Sequence, residues 1–224
     1  MEFMALISGA LLMAMAPMSG AVCEGPGRVR EASSAAISQF VRAKRMQVLT
    51  FMGYSGAEYE SPATMKRAAA SILEGKDPAT TLVNIGATVE GIGAVYALAK
   101  QKGFTTMGIV SSQVQTNQVP LSRCVDHVFV VRDASWGGLL PGTGQLSPTS
   151  RAIVENSTEV VAIGGGEVAL AELVAARQAG KPVSFIAADM NHAIARQKAR
   201  KQGKPDPTDF SGPAAGALKF PPRP

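Results

Sequence analysis

The sequence predicts an α/β protein: a doubly wound parallel sheet in three layers, forming a single domain. Three observations predict it. Short apolar runs alternate with segments whose apolar residues recur at helical spacing. The runs are apolar throughout, as strands buried on both faces must be. Four of them end in small or polar residues, at the edge where such sheets bind ligands.

Gln47 to Met52 reads as a strand running into Gly53-Tyr54-Ser55-Gly56. Pro62 suits a first helical turn, and Met65, Ala68, Ala69 and Ile72 share one face of the helix that runs on to Leu73. Thr81 to Ile85 is the next strand and ends in Gly86-Ala87-Thr88. Gly91 to Gln101 follows as a helix, with Gly103 closing it. Thr106 to Val110 is a strand ending in Ser111-Ser112, and Val125 to Val131 is another. The stretch Trp136 to Gly144 carries four glycines and reads as a loop able to close as a lid with Trp136 stacked on a base, the alternative being that Trp136 is a partly buried anchor. Pro148 to Asn156 is a short helix. Val160 to Ile163 is a strand, Glu167 to Gln178 a helix, and Val183 to Ala187 the last strand.

Composition bounds the function. The chain has 224 residues, of which 46% are hydrophobic and 17% charged. Its net charge of +5 belongs to the ends: residues 192–224 hold seven Lys/Arg and two Asp, whereas residues 47–191 hold ten Lys/Arg and twelve Asp/Glu. The body therefore offers no electrostatic case for nucleic acid. With two histidines and two distant cysteines, neither a zinc site nor a disulfide framework is expected, and Cys124 reads as a small buried hydrophobe. His127 alternates within a strand and reads as a satisfied core histidine.

Three segments divide the chain: residues 1–46, 47–191 and 192–224. Met1 to Val22 contains an apolar stretch of signal-peptide length, and residues 24–46 are Arg-, Ser- and Ala-rich like a transit segment. Residues 1–46 thus read as a targeting address or a mis-assigned start. The protein is exported or organellar in the first case and cytoplasmic in the second. No membrane span is expected in the folded body. Residues 192–224 are basic, then Pro/Gly-rich, and read as a loosely packed tail.

The segment richest in chemistry is Gly164-Gly165-Gly166, between the strand ending at Ile163 and the helix starting at Glu167. A helix start offers unpaired N–H groups and a positive dipole end, which suit a phosphate. Glu167 and Glu172 sit just inside that helix, where a carboxylate could grip a ribose or stabilise charge developing on it. The alternative for the glycines is a tight turn, and for the glutamates a dipole-complementing helix surface. Gly53-x-x-Gly56 is not a dinucleotide fingerprint, and Gly86 to Gly93 lacks the Lys-Ser/Thr of a P-loop.

Residues 47–189 resemble the SLOG superfamily of Rossmann-like domains, which includes the LOG-type phosphoribohydrolases. Three places carry the resemblance: the strand running into Gly53-Tyr54-Ser55-Gly56, the segment Asn84 to Ala94, and Gly164-Gly165-Gly166-Glu167-Val168-Ala169-Leu170-Ala171-Glu172. The last is similar to the family's P-G-G-x-G-T-x-x-E. Gly165 and Gly166 match its first two glycines and Glu172 its glutamate. The proline is Gly164 here, and the Gly-Thr pair is Val168-Ala169. The family's Arg-Lys pair has its only counterpart in Arg151-Ala152, about a half-turn short.

The resemblance implies a nucleotide ligand at Gly53, Ser55, Gly56, Gly86, Ala87, Thr88, Gly164, Gly165, Gly166 and Glu167. It implies Glu172 and Arg151 as catalytic residues, a homodimer, and hydrolysis of the N-glycosidic bond of a nucleoside 5′-monophosphate. That chemistry requires no metal or other cofactor. The other function the resemblance allows is a non-catalytic sensor of an ADP-ribose-like ligand.

Overall fold

The computed structural model describes residues 23–220. The expected apolar stretch and cleavage site within Met1 to Val22 lie outside them. The described residues form a seven-stranded sheet, all parallel, with helices on both faces. The strands are β1 (Arg28–Glu31), β2 (Gln47–Gly53), β3 (Thr81–Ile85), β4 (Thr105–Ser111), β5 (His127–Val131), β6 (Glu159–Ile163) and β7 (Val183–Ile186). Their order across the sheet is β1-β5-β4-β3-β2-β6-β7. From β2 the chain winds outward through β3, β4 and β5, then returns to lay β6 on the other side of β2. The winding reverses between β2 and β6, and a doubly wound Rossmann-like sheet has its ligand crevice there.

The main helices are α1 (Ser34–Lys44), α2 (Pro62–Glu74), α3 (Val95–Gln101), α4 (Gln113–Thr116), α5 (Pro148–Glu155), α6 (Glu167–Gln178) and α7 (His192–Lys201). Strand alternation explains the two cores. On one face Leu49, Phe51, Val83 and Ile85 pack with Met65, Ala69 and Leu73 of α2 and Val95 and Tyr96 of α3. On the other, Val48, Leu82, Met107 and Phe129 pack with Ile37 of α1, Ala152 of α5, and Leu173 and Ala176 of α6.

Two segment boundaries are corrected. Residues 28–44, expected to lie outside the fold, are β1 and α1. The first pairs in parallel with β5 along Arg28–Glu31. Ser33 caps α1 by accepting from the Ala36 N–H, and Ile37 is fully buried. The arginine content misleads because Arg30 packs rather than floats: its guanidinium lies 4.5 Å over the Phe129 ring and 4.9 Å over Phe40. Residues 192–219 are not a loose tail either. They form α7 and a 3₁₀ segment, Pro213–Lys219, whose Ala214 and Ala217 are fully buried in the α6 side of the core.

Cys23 and Cys124 form a disulfide, which corrects the reading of Cys124 as a simple hydrophobe. His127 is half-buried, stacked edge-on against Phe40 at 4.8 Å, and its buried Nδ1 finds no partner among the described residues, so it is not a satisfied core histidine. Burial, with Lys44 nearby, holds its pKa down.

Tyr96 shows how the crowded strand ends are held. Its buried hydroxyl lies 2.7 Å from the carbonyl of Ile85 and 2.8 Å from that of Met107, and it accepts from the N–H groups of Ile85 and Ala87. This staple fixes Ala87 at a φ of 53°. Tyr96→Phe leaves those groups short of a partner and is expected to cost about 1–3 kcal/mol in urea unfolding. An unchanged midpoint would show that the hydroxyl is dispensable.

Candidate functional site

A cavity of about 650 Å³ opens at the carboxyl edge of the sheet, over the ends of β2, β3, β4 and β6. That is within the roughly 300–1,000 Å³ of small-molecule sites. Most of the sequence-expected residues meet there: Gly53, Ser55, Gly56, Gly86, Thr88, Gly166, Glu167 and Glu172 all line it. Four others do not line it. Ala87 is fully buried behind the wall, under Tyr96. Arg151 is exposed on α5. Gly164 and Gly165 are set by packing.

The two turn glycines are needed for space. Gly164 has a φ of 58°, and a side chain there would meet the Tyr54 ring at 2.5 Å and the Ala188 carbonyl at 2.7 Å. Gly165 has a φ of 135°, and its Cβ would meet that of Ala169 at 2.7 Å. The tight-turn reading therefore accounts for both. Gly166 is different: nothing lies within 4 Å of a Cβ built on it, and it caps α6 with no side-chain hydrogen bond. The first turn of α6 thus reaches the cavity at Glu167, Val168 and Ala169 without a side-chain cap.

Glu172 lies one turn further along α6. It is 4% exposed. Its Oε1 accepts from the Ser150 hydroxyl at 2.6 Å, and the Ser150 oxygen accepts from the Gly138 N–H at 2.7 Å. The glycine-rich loop is thereby tied through Ser150 to the carboxyl. Burial pushes the Glu172 pKa up to about 7, against the smaller downward pull of Ser150. A carboxyl near 7 in a cavity exchanges protons at neutral pH, as a general acid or base must. Its neighbour Asp133 behaves oppositely. Burial alone would raise it, but donors on Thr149 and Ser135 outweigh that and hold it at about 2. Its two oxygens take the Thr149 N–H at 2.9 Å and the Ser135 N–H at 2.8 Å, anchoring the start of α5 and the loop.

Sequence reasoning missed Lys198. It comes from α7, in the segment read as a tail. It lines the cavity, with its ammonium 2.8 Å from the Gly56 carbonyl. The signal was available in Ile194 and Ala195 followed by Lys198, a helical spacing hidden by the surrounding basic run. Trp136, from the glycine-rich loop, also lines the cavity and is 54% exposed. Gly137 and Gly138 follow it at φ 115° and 82°.

The floor is polar where the two cores meet the site. Thr50, Asn84 and Thr149 line it and are 0–3% exposed. Asn84 donates from Nδ2 to Thr50 Oγ1 at 3.1 Å, and Thr50 Oγ1 lies 2.6 Å from Ser157 Oγ. Asn84 Oδ1 and Thr149 Oγ1 have no partner among the described residues. No group of three potential metal ligands is found among those residues, and no helix among them is long and apolar enough to cross a membrane.

No family model matches the chain, and no curated protein sequence matches it. Among solved structures it is similar to the Moco carrier protein from Chlamydomonas reinhardtii. One such structure is 19% identical and covers 79% of this chain and 98% of that one, with a TM-score of 0.45. A second, of the molybdenum cofactor carrier protein MCP from the same organism, is 22% identical over 63% and 76%, with a TM-score of 0.44. The protein TM1055 is 22% identical over 62% and 72%, with a TM-score of 0.43. The fold assignment rests on the strand order: a seven-stranded, all-parallel, doubly wound α/β sheet with its crevice at the β2–β6 reversal.

Proposed function

We propose that the cavity binds a nucleotide or nucleotide-derived ligand and hydrolyses the N-glycosidic bond of a nucleoside 5′-monophosphate. The observation that carries this reading is Glu172: a buried carboxyl with a pKa near 7, one turn from a helix start with no side-chain cap. The N–H groups at the start of α6, the Thr88 and Ser55 hydroxyls and the Lys198 ammonium supply the phosphate and ribose contacts. The C1′–N bond breaks with its electron pair leaving on the base, which takes a proton from solvent. Water adds to C1′, and the Glu172 carboxylate takes that water's proton. The products are free base and ribose 5-phosphate.

A second reading is favoured by Arg151. Its position on the exposed side of α5 leaves the cavity without the expected guanidinium clamp, as suits a site that binds an ADP-ribose-like ligand without turnover. Incubation with AMP, GMP, CMP and UMP, followed by chromatography, separates the two. The catalytic reading expects free base, with release falling at least ~100-fold in Glu172→Gln while binding survives. Binding with no release in the wild type moves the assignment to the sensor. The resemblance also leads us to propose a homodimer, which sedimentation of the same sample tests.

A further inference from the structure

The cavity floor contains a buried polar atom with no partner among the described residues, and the direction of a buried hydrogen-bond chain fixes it as an acceptor. Ser157 has one proton, and its hydroxyl lies 2.7 Å from the Ile153 carbonyl, which can only accept. Ser157 Oγ therefore accepts from Thr50, whose hydroxyl lies 2.6 Å away. Thr50 has then spent its proton and must accept from Asn84, at 3.1 Å. The amide is held with its NH₂ group toward Thr50 and its carbonyl oxygen away. Turning the amide over would set its oxygen against a hydroxyl with no proton left to give. Asn84 is fully buried, lines the cavity and has no partner at Oδ1 among the described residues.

Resting on the nucleotide reading, we infer that Asn84 sets base specificity by accepting from an exocyclic amino group, so that the site selects adenine- or cytosine-type bases over their oxo counterparts. An amino group at that position supplies the missing donor. The oxo group of hypoxanthine, guanine or uracil brings a second acceptor against Oδ1, and two acceptors facing each other on the buried floor leave both unpaired.

The test measures affinity of the full chain for two pairs of monophosphates that differ only in this group and in the proton on the ring nitrogen beside it, AMP with IMP and CMP with UMP. In the wild type the amino member of the better-bound pair should bind about 10- to 100-fold more tightly. Asn84→Leu should bring the two members of that pair within about threefold of each other, mainly by weakening the amino member. Equal binding within both pairs in the wild type, or preference for IMP or UMP, overturns the role of Asn84 while leaving the nucleotide reading intact. Absence of binding by all four monophosphates overturns the nucleotide reading and the inference with it. The wild-type comparison needs no variant, so it decides the matter even where Asn84→Leu misfolds.

Discussion

Glu172→Gln is expected to stabilise the ligand-free protein at pH 9 while changing its stability little at pH 5. Burial raises the folded-state pKa of Glu172 to about 7, above the roughly 4.3 of an exposed glutamate. The folded state therefore favours the protonated form. The stability this contributes is fully present below about pH 4 and is lost as pH rises through 7, where folding must hold a buried charge. The loss tends to ~4 kcal/mol at high pH. Glutamine has no such titration and keeps the Ser150 hydrogen bond through its own carbonyl. Melting temperatures of wild type and variant, compared at pH 5 and pH 9, should diverge by several degrees, with the variant higher at pH 9. The same gap at both values would mean that the carboxyl is not held near neutrality. A residue that costs stability at working pH is more simply explained by what it does than by what it holds together.

Loss of the Cys23–Cys124 bond should destabilise the protein more than any other single change considered. The bond joins residues 101 positions apart, and a loop of that length corresponds to roughly 4–5 kcal/mol in the chain-entropy account. It also holds the entry to β1, whose four residues form an edge strand that, among the described residues, is paired on one side only. Cys124→Ser, or full reduction of the wild type, should lower the melting temperature by about 10 °C. Hydrogen exchange should show the loss first in β1 and α1, with the β2–β6 centre of the sheet protected longest. A shift below about 2 °C would show that β1 and α1 are held by packing alone. Such bonds persist in oxidising compartments and are rare in the cytosol, so the redox state of these two residues in the native host also tests the competing readings of residues 1–46.

The fold was legible in the alternation of apolar runs and helical spacings. Strands beginning at Gln47, Thr81 and Val183 were readable because sheets buried on both faces demand continuous apolar segments, which few other structures need. The cavity was legible from the strand ends, since four of them carried small or polar residues that a core would not select. What was hidden has physical reasons. Arg28 and Arg30 disguise an edge strand, where cations blunt unwanted pairing, and Arg30 lies on the faces of Phe40 and Phe129. The pairing of two distant cysteines is a property of the folded chain that spacing does not encode. Lys198 reaches the cavity from a helix whose polar composition hid its one buried residue, Ala195. Asn84 reads in sequence as part of a glycine-rich loop motif, and its open carbonyl emerges only when Thr50 and Ser157 are brought beneath it.

The helix bearing Glu172 is closed from outside by Pro213–Lys219, whose Ala214 N–H donates to the Gly165 carbonyl. This fixes an order of assembly on the ribosome. All seven strands have been synthesised once Ile186 is in place, and the sheet can pair from then on. Lys198 and the cover over α6 are still to come. A nascent chain that stops before Phe210 holds a paired sheet with the flank of α6 still uncovered. Without that cover, the exposed flank of α6 would present apolar surface to chaperones and to other nascent chains.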